Sequence, residues 1–228
     1  MAIASSLSDV MADIREEFLK QYPYTQITFN TASSGVLAKQ IQQNAPVDIF
    51  ASADIELVKN LVPSQDIEIF AQNQLVLATS TASAITIQSL EELDNPEIQT
   101  IALGNPNSVP AGKYAQIALG RSPLNLDLYQ RLQEQNKLVF GENVRQVLAY
   151  LESQVAEVGF IYQTDLQQSQ KVKSLLTLDS ALTGEINLAI AIVNPTAEKL
   201  ATREFIDFTL SGEGQKVIEQ HGFLPIKD

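Results

Sequence analysis

Three stretches of this chain place small or hydroxyl-bearing residues just ahead of helical spacing: Ala4-Ser5-Ser6-Leu7-Ser8-Asp9, Thr31-Ala32-Ser33-Ser34-Gly35-Val36 and Val109-Pro110-Ala111-Gly112-Lys113-Tyr114. A helix start leaves its first N–H groups without intrahelical partners and carries about half a positive elementary charge. Small residues let a ligand approach that backbone, and each serine adds a hydroxyl donor. The chemistry this favours is capture of an anion by uncharged groups. Each stretch also has a plainer reading. Serine at a helix start usually only caps it, and Ser6-x-x-Asp9 has the form of a capping box. Tyr162, which ends the apolar run Val158-Gly159-Phe160-Ile161, offers a phenolic donor, although a tyrosine so placed is commonly a half-buried core residue.

Covalent or metal catalysis finds little to work with. His221 is the only histidine and there is no cysteine, which removes histidine-rich metal sites, thiolate sites and cysteine nucleophiles. No Gly-x-Ser-x-Gly elbow, P-loop or Gly-x-Gly-x-x-Gly motif occurs. Glu16-Glu17 and Glu91-Glu92 read as solvated helix faces, and no carboxylate pair stands out as an acid–base couple.

Short β-rich runs alternating with helical periodicity must position these junctions. Strands are expected at Ala2–Ala4, Ile27–Asn30, Val47–Ala51, Leu75–Ala78, Thr100–Leu103, Leu138–Phe140, Val158–Ile161 and Ile186–Val193. Helices are expected over Leu7–Phe18, around Leu37 and Ile41, and over Asp54–Leu61, Ala111–Leu119, Glu198–Leu210 and Glu213–Gln220. Another follows Asn143, a capping residue, and Ser89-x-x-Glu92 signs a capping box, while Gly222 is a stop signal. Alternation of β and α units predicts mainly parallel sheets, in which ligands sit at the carboxyl ends of strands. The apolar strands at 74–78 and 187–193 flank a middle section the size of a small domain, so two α/β lobes joined by two crossing strands are expected. Residues 1–77 plus 190–228 would form the first lobe and 78–189 the second.

Composition narrows the partners. Lys plus Arg total 15 against 27 Asp plus Glu, a formal net charge of -12, which opposes nucleic acid binding. The same charge repels small anions on average, so an anion must be held by local contacts. No apolar run reaches the length of a spanning helix. Met1 leads straight into a strand with no basic segment and no apolar stretch, a start expected where an export segment has been removed.

The ordered motifs resemble the periplasmic molybdate-binding proteins, the solute receptors of molybdate and tungstate ABC transporters. The resemblance runs nearly end to end. It rests on Ala4-Ser5-Ser6-Leu7 with Met11, Ala32-Ser33-Ser34 with Leu37-Ala38-Lys39-Gln40-Ile41, Ala45-Pro46-Val47-Asp48-Ile49-Phe50-Ala51-Ser52-Ala53-Asp54 and Gly104-Asn105-Pro106. Val109-Pro110-Ala111-Gly112-Lys113-Tyr114-Ala115, Asn143-Val144-Arg145, Gly159-Phe160-Ile161-Tyr162 and His221-Gly222-Phe223 complete it. It implies a type II periplasmic-binding-protein fold in the α/β class. It also implies an oxyanion held by Ser6 and Ser34, by the backbone N–H groups of Ala111 and Val144, and by the Tyr162 phenol. Gly35 stands where some relatives carry a polar residue, which alters the side-chain donors there but not the backbone N–H.

The implied protein has no catalytic residues and no cofactor. Molybdenum or tungsten enters only inside the oxyanion, without direct protein–metal bonds. Its partners would be the oxyanion and a membrane permease in an extracytoplasmic compartment, and the chain would act as a monomer without nucleic acid. A receptor for sulfate or another tetrahedral oxyanion shares most of this chemistry and differs in pocket size. A ligand-sensing regulatory domain of the same fold type is disfavoured, since no helix-turn-helix segment opens the chain and its balance is acidic.

Overall fold

The structure, a computed structural model, describes residues 1–122, 128–194 and 199–226. Contacts divide the chain into one unit of Met1–Asn73 with Asn187–Asp228 and a second of Gln74–Ile186. The limits 77/78 and 189/190 expected from sequence lie a few residues further along the chain than these.

In chain order the first unit contains β1 (Ala2–Ala4), a 3₁₀ turn at Ser5–Leu7, α1 (Ser8–Gln21), β2 (Asn30–Ala32), α2 (Ser34–Gln42), β3 (Ile49–Ser52), α3 (Ile55–Lys59) and β4 (Ile67–Asn73). The second holds β5 (Leu75–Ser80), a 3₁₀ turn at Leu90–Asp94, β6 (Ile101–Gly104), α4 (Pro110–Gly120), α5 (Leu128–Glu134) and β7 (Leu138–Gly141). It continues through α6 (Val144–Glu152), β8 (Val158–Tyr162), α7 (Gln163–Gln167), β9 (Val172–Thr177) and α8 (Ser180–Thr183). β10 (Ile186–Ile192) returns the chain to the first unit, which ends with α9 (Lys199–Leu210) and α10 (Gly212–Gln220). The chain therefore changes unit twice, between β4 and β5 and at the start of β10.

The first sheet has the order β2-β1-β3-β10-β4, with β2, β1 and β3 parallel and β10 antiparallel to β3. Successive residues of a strand face opposite sides. Ala2, Phe50, Ala189 and Ala191 accordingly share a buried cluster with Leu37 and Ala38 of α2 and Val58 of α3. Burying Leu37 or Phe50 there contributes about 1.5–3 kcal/mol each. Elsewhere in the unit, Phe18 of α1 meets Phe205 and Phe208 of α9 edge-on, with ring centroids 5.2 and 5.6 Å apart.

The second sheet has the order β7-β6-β8-β5-β9. β7, β6 and β8 are parallel, whereas β5 runs antiparallel to both β8 and β9. Both sheets are thus mixed, where the alternation of elements predicted mainly parallel ones. The antiparallel partners are the two strands next to the unit changes, β5 and β10. β5 pairs along its whole length inside the second unit, which is why the passage falls ahead of it and not within it.

Several local expectations are met by recognisable chemistry. Asn143 caps α6 by accepting the Gln146 N–H at 3.0 Å. The Ser89–Glu92 capping box forms, and it opens a 3₁₀ turn. Gly222 takes a φ of 77°, the left-handed conformation that ends α10 at little steric cost. The strand expected over Ile27–Asn30 differs, for only Asn30 belongs to β2. β1 offers three residues, and they pair with Asn30, Thr31 and Ala32. Phe29 instead faces the Arg15 guanidinium, which lies 5.0 Å from its ring centroid.

Candidate oxyanion-binding groups

In the first unit, β1 and β2 end in register, with Ala4 opposite Ala32. Neighbouring strands lie about 4.8 Å apart, so Ser5 and Ser33 leave adjacent strand ends. Ser5 and Ser6 begin the 3₁₀ turn that leads into α1, and no side chain caps it. Ser6 lies within this turn instead of ahead of it as a cap. Ser6 is buried. Ser34 is the first residue of α2 and has no exposed surface. Its Oγ accepts the Ala53 N–H at 3.1 Å, which ties the start of α2 to the loop after β3. That bond occupies an acceptor lone pair and leaves the hydroxyl proton available to a ligand.

Ser33 is a residue the sequence reading did not single out. It precedes α2 in the N-cap position, yet its side chain caps nothing. It is 3% exposed, and its Oγ has no hydrogen-bond partner among the described residues. A buried hydroxyl without a partner is costly, about 1–3 kcal/mol. The only sequence signal was the Ser33-Ser34 doublet, which does not say which hydroxyl serves the fold and which is spare.

In the second unit three parallel strands deliver three groups. β6 and β7 end level, Gly104 opposite Gly141, and Ala102 pairs with Gly159 of β8. After β6, Asn105 organises the turn: its own N–H donates to Gly141 O at 2.9 Å, and its Oδ1 accepts the Asn107 N–H at 3.0 Å. Pro110 occupies the first position of α4, and Val109 ahead of it gives no side-chain cap. Proline carries no N–H, so Ala111 supplies the helix's first backbone donor. Gly112 is required by close approach, since a Cβ there would lie 1.8 Å from the Gly104 oxygen. This contact seats the first turn of α4 on the end of β6.

Val144 opens α6 after β7, and its N–H is one that helix geometry leaves unpaired. Tyr162 ends β8, is 1% exposed and lies across from Leu75 on β5. The Tyr162 N–H donates to Asp165 Oδ2 at 3.2 Å. Arg145, beside Val144, forms an ion pair with the same carboxylate, its Nε 2.9 Å from Oδ1. The structure thus places Ser6 and Ser34 just after neighbouring strand ends of one unit, and Ala111, Val144 and Tyr162 at or after the ends of three neighbouring strands of the other. No cluster of three or more His, Asp or Glu side chains fit to hold a metal ion occurs among the described residues. Uncapped N–H groups and hydroxyls suit an oxyanion, which accepts hydrogen bonds and offers none.

Known proteins are similar to this chain over nearly its whole length. The chain is 33% identical over 228 residues to the substrate-binding lipoprotein YvgL of Bacillus subtilis, covering 98% of this chain and 85% of that protein. It is 30% identical to the molybdate-binding protein ModA of Haemophilus influenzae, over 96% of this chain and 87% of that one. The periplasmic molybdate-binding protein of Azotobacter vinelandii superposes with a TM-score of 0.85 at 21% identity, covering 99% and 98% of the two chains, and shows the fold. Residues 1–224 match the family described as bacterial extracellular solute-binding protein, and the chain belongs to that family.

Proposed function

We propose that this protein captures molybdate or tungstate outside the cytoplasmic membrane and hands it to an ABC permease for import, without chemical conversion. The observation that carries the reading is the set of uncapped, buried helix starts on level strand ends, in a chain 30% identical to a molybdate-binding protein. The proposed donors are the Ser6 and Ser34 hydroxyls and N–H groups, the Ala111 and Val144 N–H groups and the Tyr162 phenol.

Neutral donors answer the electrostatic objection. Hydrogen bonds to a charged group contribute about 1.5–3 kcal/mol each, so a handful outweighs the diffuse repulsion of an acidic chain. They also discriminate. A protonated oxyanion such as hydrogen phosphate brings a donor to a site made of donors, and that mismatch disfavours it. Sulfate carries the same charge and no proton, so only size separates it from molybdate. The acidic balance supports a partner list without nucleic acid, and nothing in the reading requires a second copy of the chain or a cofactor.

Calorimetric titration with molybdate, tungstate, sulfate and phosphate tests this. Tight binding of the first two, with phosphate inert and sulfate at least tenfold weaker, is the expected result. Sulfate bound as tightly as molybdate would move the protein to the general oxyanion receptors, and no binding of any of the four would end the proposal.

A further inference from the structure

Two of the proposed donors hang on one buried carboxylate. Asp165, the third residue of α7, has no exposed surface. Its Oδ2 accepts the backbone N–H of Tyr162 at 3.2 Å, while its Oδ1 lies 2.9 Å from Nε of Arg145. The second contact is short but off the N–H axis, so it acts as an ion pair more than as a directed hydrogen bond. Arg145 is the second residue of α6, directly after Val144. The carboxylate therefore ties the helix start after β7 to the end of β8, although β6 lies between those strands. Strand spacing alone would leave the two ends about 9–10 Å apart with nothing shared.

The ion pair also settles a charge. An unpaired guanidinium next to the Val144 N–H would attract any anion regardless of size or protonation. Paired with a fully buried carboxylate, it adds no net charge there, and binding is left to directional neutral donors. Only the carboxylate is fully buried, the guanidinium being partly exposed, so removing Arg145 strands a buried charge.

We infer that Arg145 and Asp165 are positioning residues that set the separation of the Val144 N–H from the Tyr162 phenol, and through it the preference for molybdate over the smaller sulfate. The inference rests on the oxyanion reading above and adds the device that makes it size-selective.

The test is calorimetric titration of molybdate and sulfate into the wild-type chain and into Arg145→Met, Arg145→Lys, Asp165→Asn, Tyr162→Phe and Arg145→Met with Tyr162→Phe, with folding checked by circular dichroism. A purely structural ion pair would lower thermal stability and leave the molybdate-to-sulfate affinity ratio alone. The expected result is a ratio reduced tenfold or more in Arg145→Met and in Asp165→Asn, with Arg145→Lys recovering most of it. In the Tyr162→Phe background, Arg145→Met should reduce the ratio by less than threefold further. If Arg145→Met does not fold, Asp165→Asn carries the comparison, because its amide oxygen still accepts the Tyr162 N–H. A folded Arg145→Met or Asp165→Asn variant that keeps the wild-type ratio overturns the inference alone. A wild-type chain that binds no molybdate overturns the proposed function and the pair's role together.

Discussion

Ser33 and Ser34 are neighbours with opposite situations. The Ser34 hydroxyl is already tied to Ala53 N–H, while the Ser33 hydroxyl is buried without a hydrogen-bond partner among the described residues. Ser34→Ala is expected to weaken molybdate binding by about 1.5–3 kcal/mol, the worth of a hydrogen bond to a charged group, and also to lower stability by about 1–3 kcal/mol by orphaning the buried Ala53 N–H. Ser33→Ala should leave thermal stability unchanged or raise it, since it removes an unpaired buried hydroxyl. If the Ser33 Oγ faces the ligand, the same change weakens binding. Melting curves with and without molybdate separate the two effects. Tyr162→Phe removes only the phenolic oxygen and should weaken binding by about 1.5–3 kcal/mol. The residue types were legible in the sequence, but their pairing was not, because a hydroxyl's partner is set by backbone groups far along the chain.

Two elements carry constraints that make further predictions. The first turn of α4 rests on β6 with no room for a side chain at Gly112. Gly112→Ala is expected to lower stability by about 1–3 kcal/mol or more, and to weaken oxyanion binding by moving the Ala111 N–H; denaturant titration and calorimetry read the two losses. The 3₁₀ turn Leu90–Asp94 is held by Lys137, whose buried ammonium donates to Leu93 O at 3.2 Å, Asp94 O at 3.1 Å and Asn95 O at 2.8 Å. Burial disfavours the charge and lowers the Lys137 pKa below its ordinary 10.5. The unfolded chain then binds this proton more tightly than the folded one. The penalty is fully present below the folded pKa and is relieved as pH rises toward 10.5, so this group's contribution to stability grows with pH over that window. Urea denaturation at several pH values should show a rising component that Lys137→Met lacks, and the variant should be less stable at neutral pH, since three carbonyls lose their donor.

The elements themselves were unevenly legible. Asn143, the Ser89–Glu92 box and Gly222 announced their helix ends because capping is a local matter of a few residues. β4, β9, α5 and α8 gave no clear signal. β4 and β9 lie at the edges of their sheets, and edge strands need not be continuous apolar runs. The antiparallel setting of β5 and β10 was invisible for a different reason: strand direction depends on which strand becomes the neighbour, and that is decided by the whole sheet.

For the whole molecule, the net charge of -12 acts on every approaching anion. If oxyanion capture depends on short-range neutral donors, association should quicken as salt screens the repulsion, since the Debye length falls from about 30 Å at 0.01 M to about 8 Å at 0.15 M. Stopped-flow measurement of the association rate for molybdate across that range checks it; a rate that falls with salt would mean that a local positive field governs capture. Membership of an extracellular solute-binding family fixes the setting in which this happens.

Composition and spacing are enough to locate the helix-start junctions and to exclude thiol and histidine-rich metal chemistry. The motif order was enough to name a family and its α/β fold, because helix caps, apolar periodicity and small-residue turns are local and survive in one dimension. Tertiary structure alone decided which strand ends lie level, that Ser34 is bonded to Ala53 while Ser33 has no hydrogen-bond partner among the described residues, and that Asp165 joins Arg145 to Tyr162. Those are relations between residues up to tens of positions apart. They depend on strand register and on the burial of charge, and neither exists until the sheets have formed.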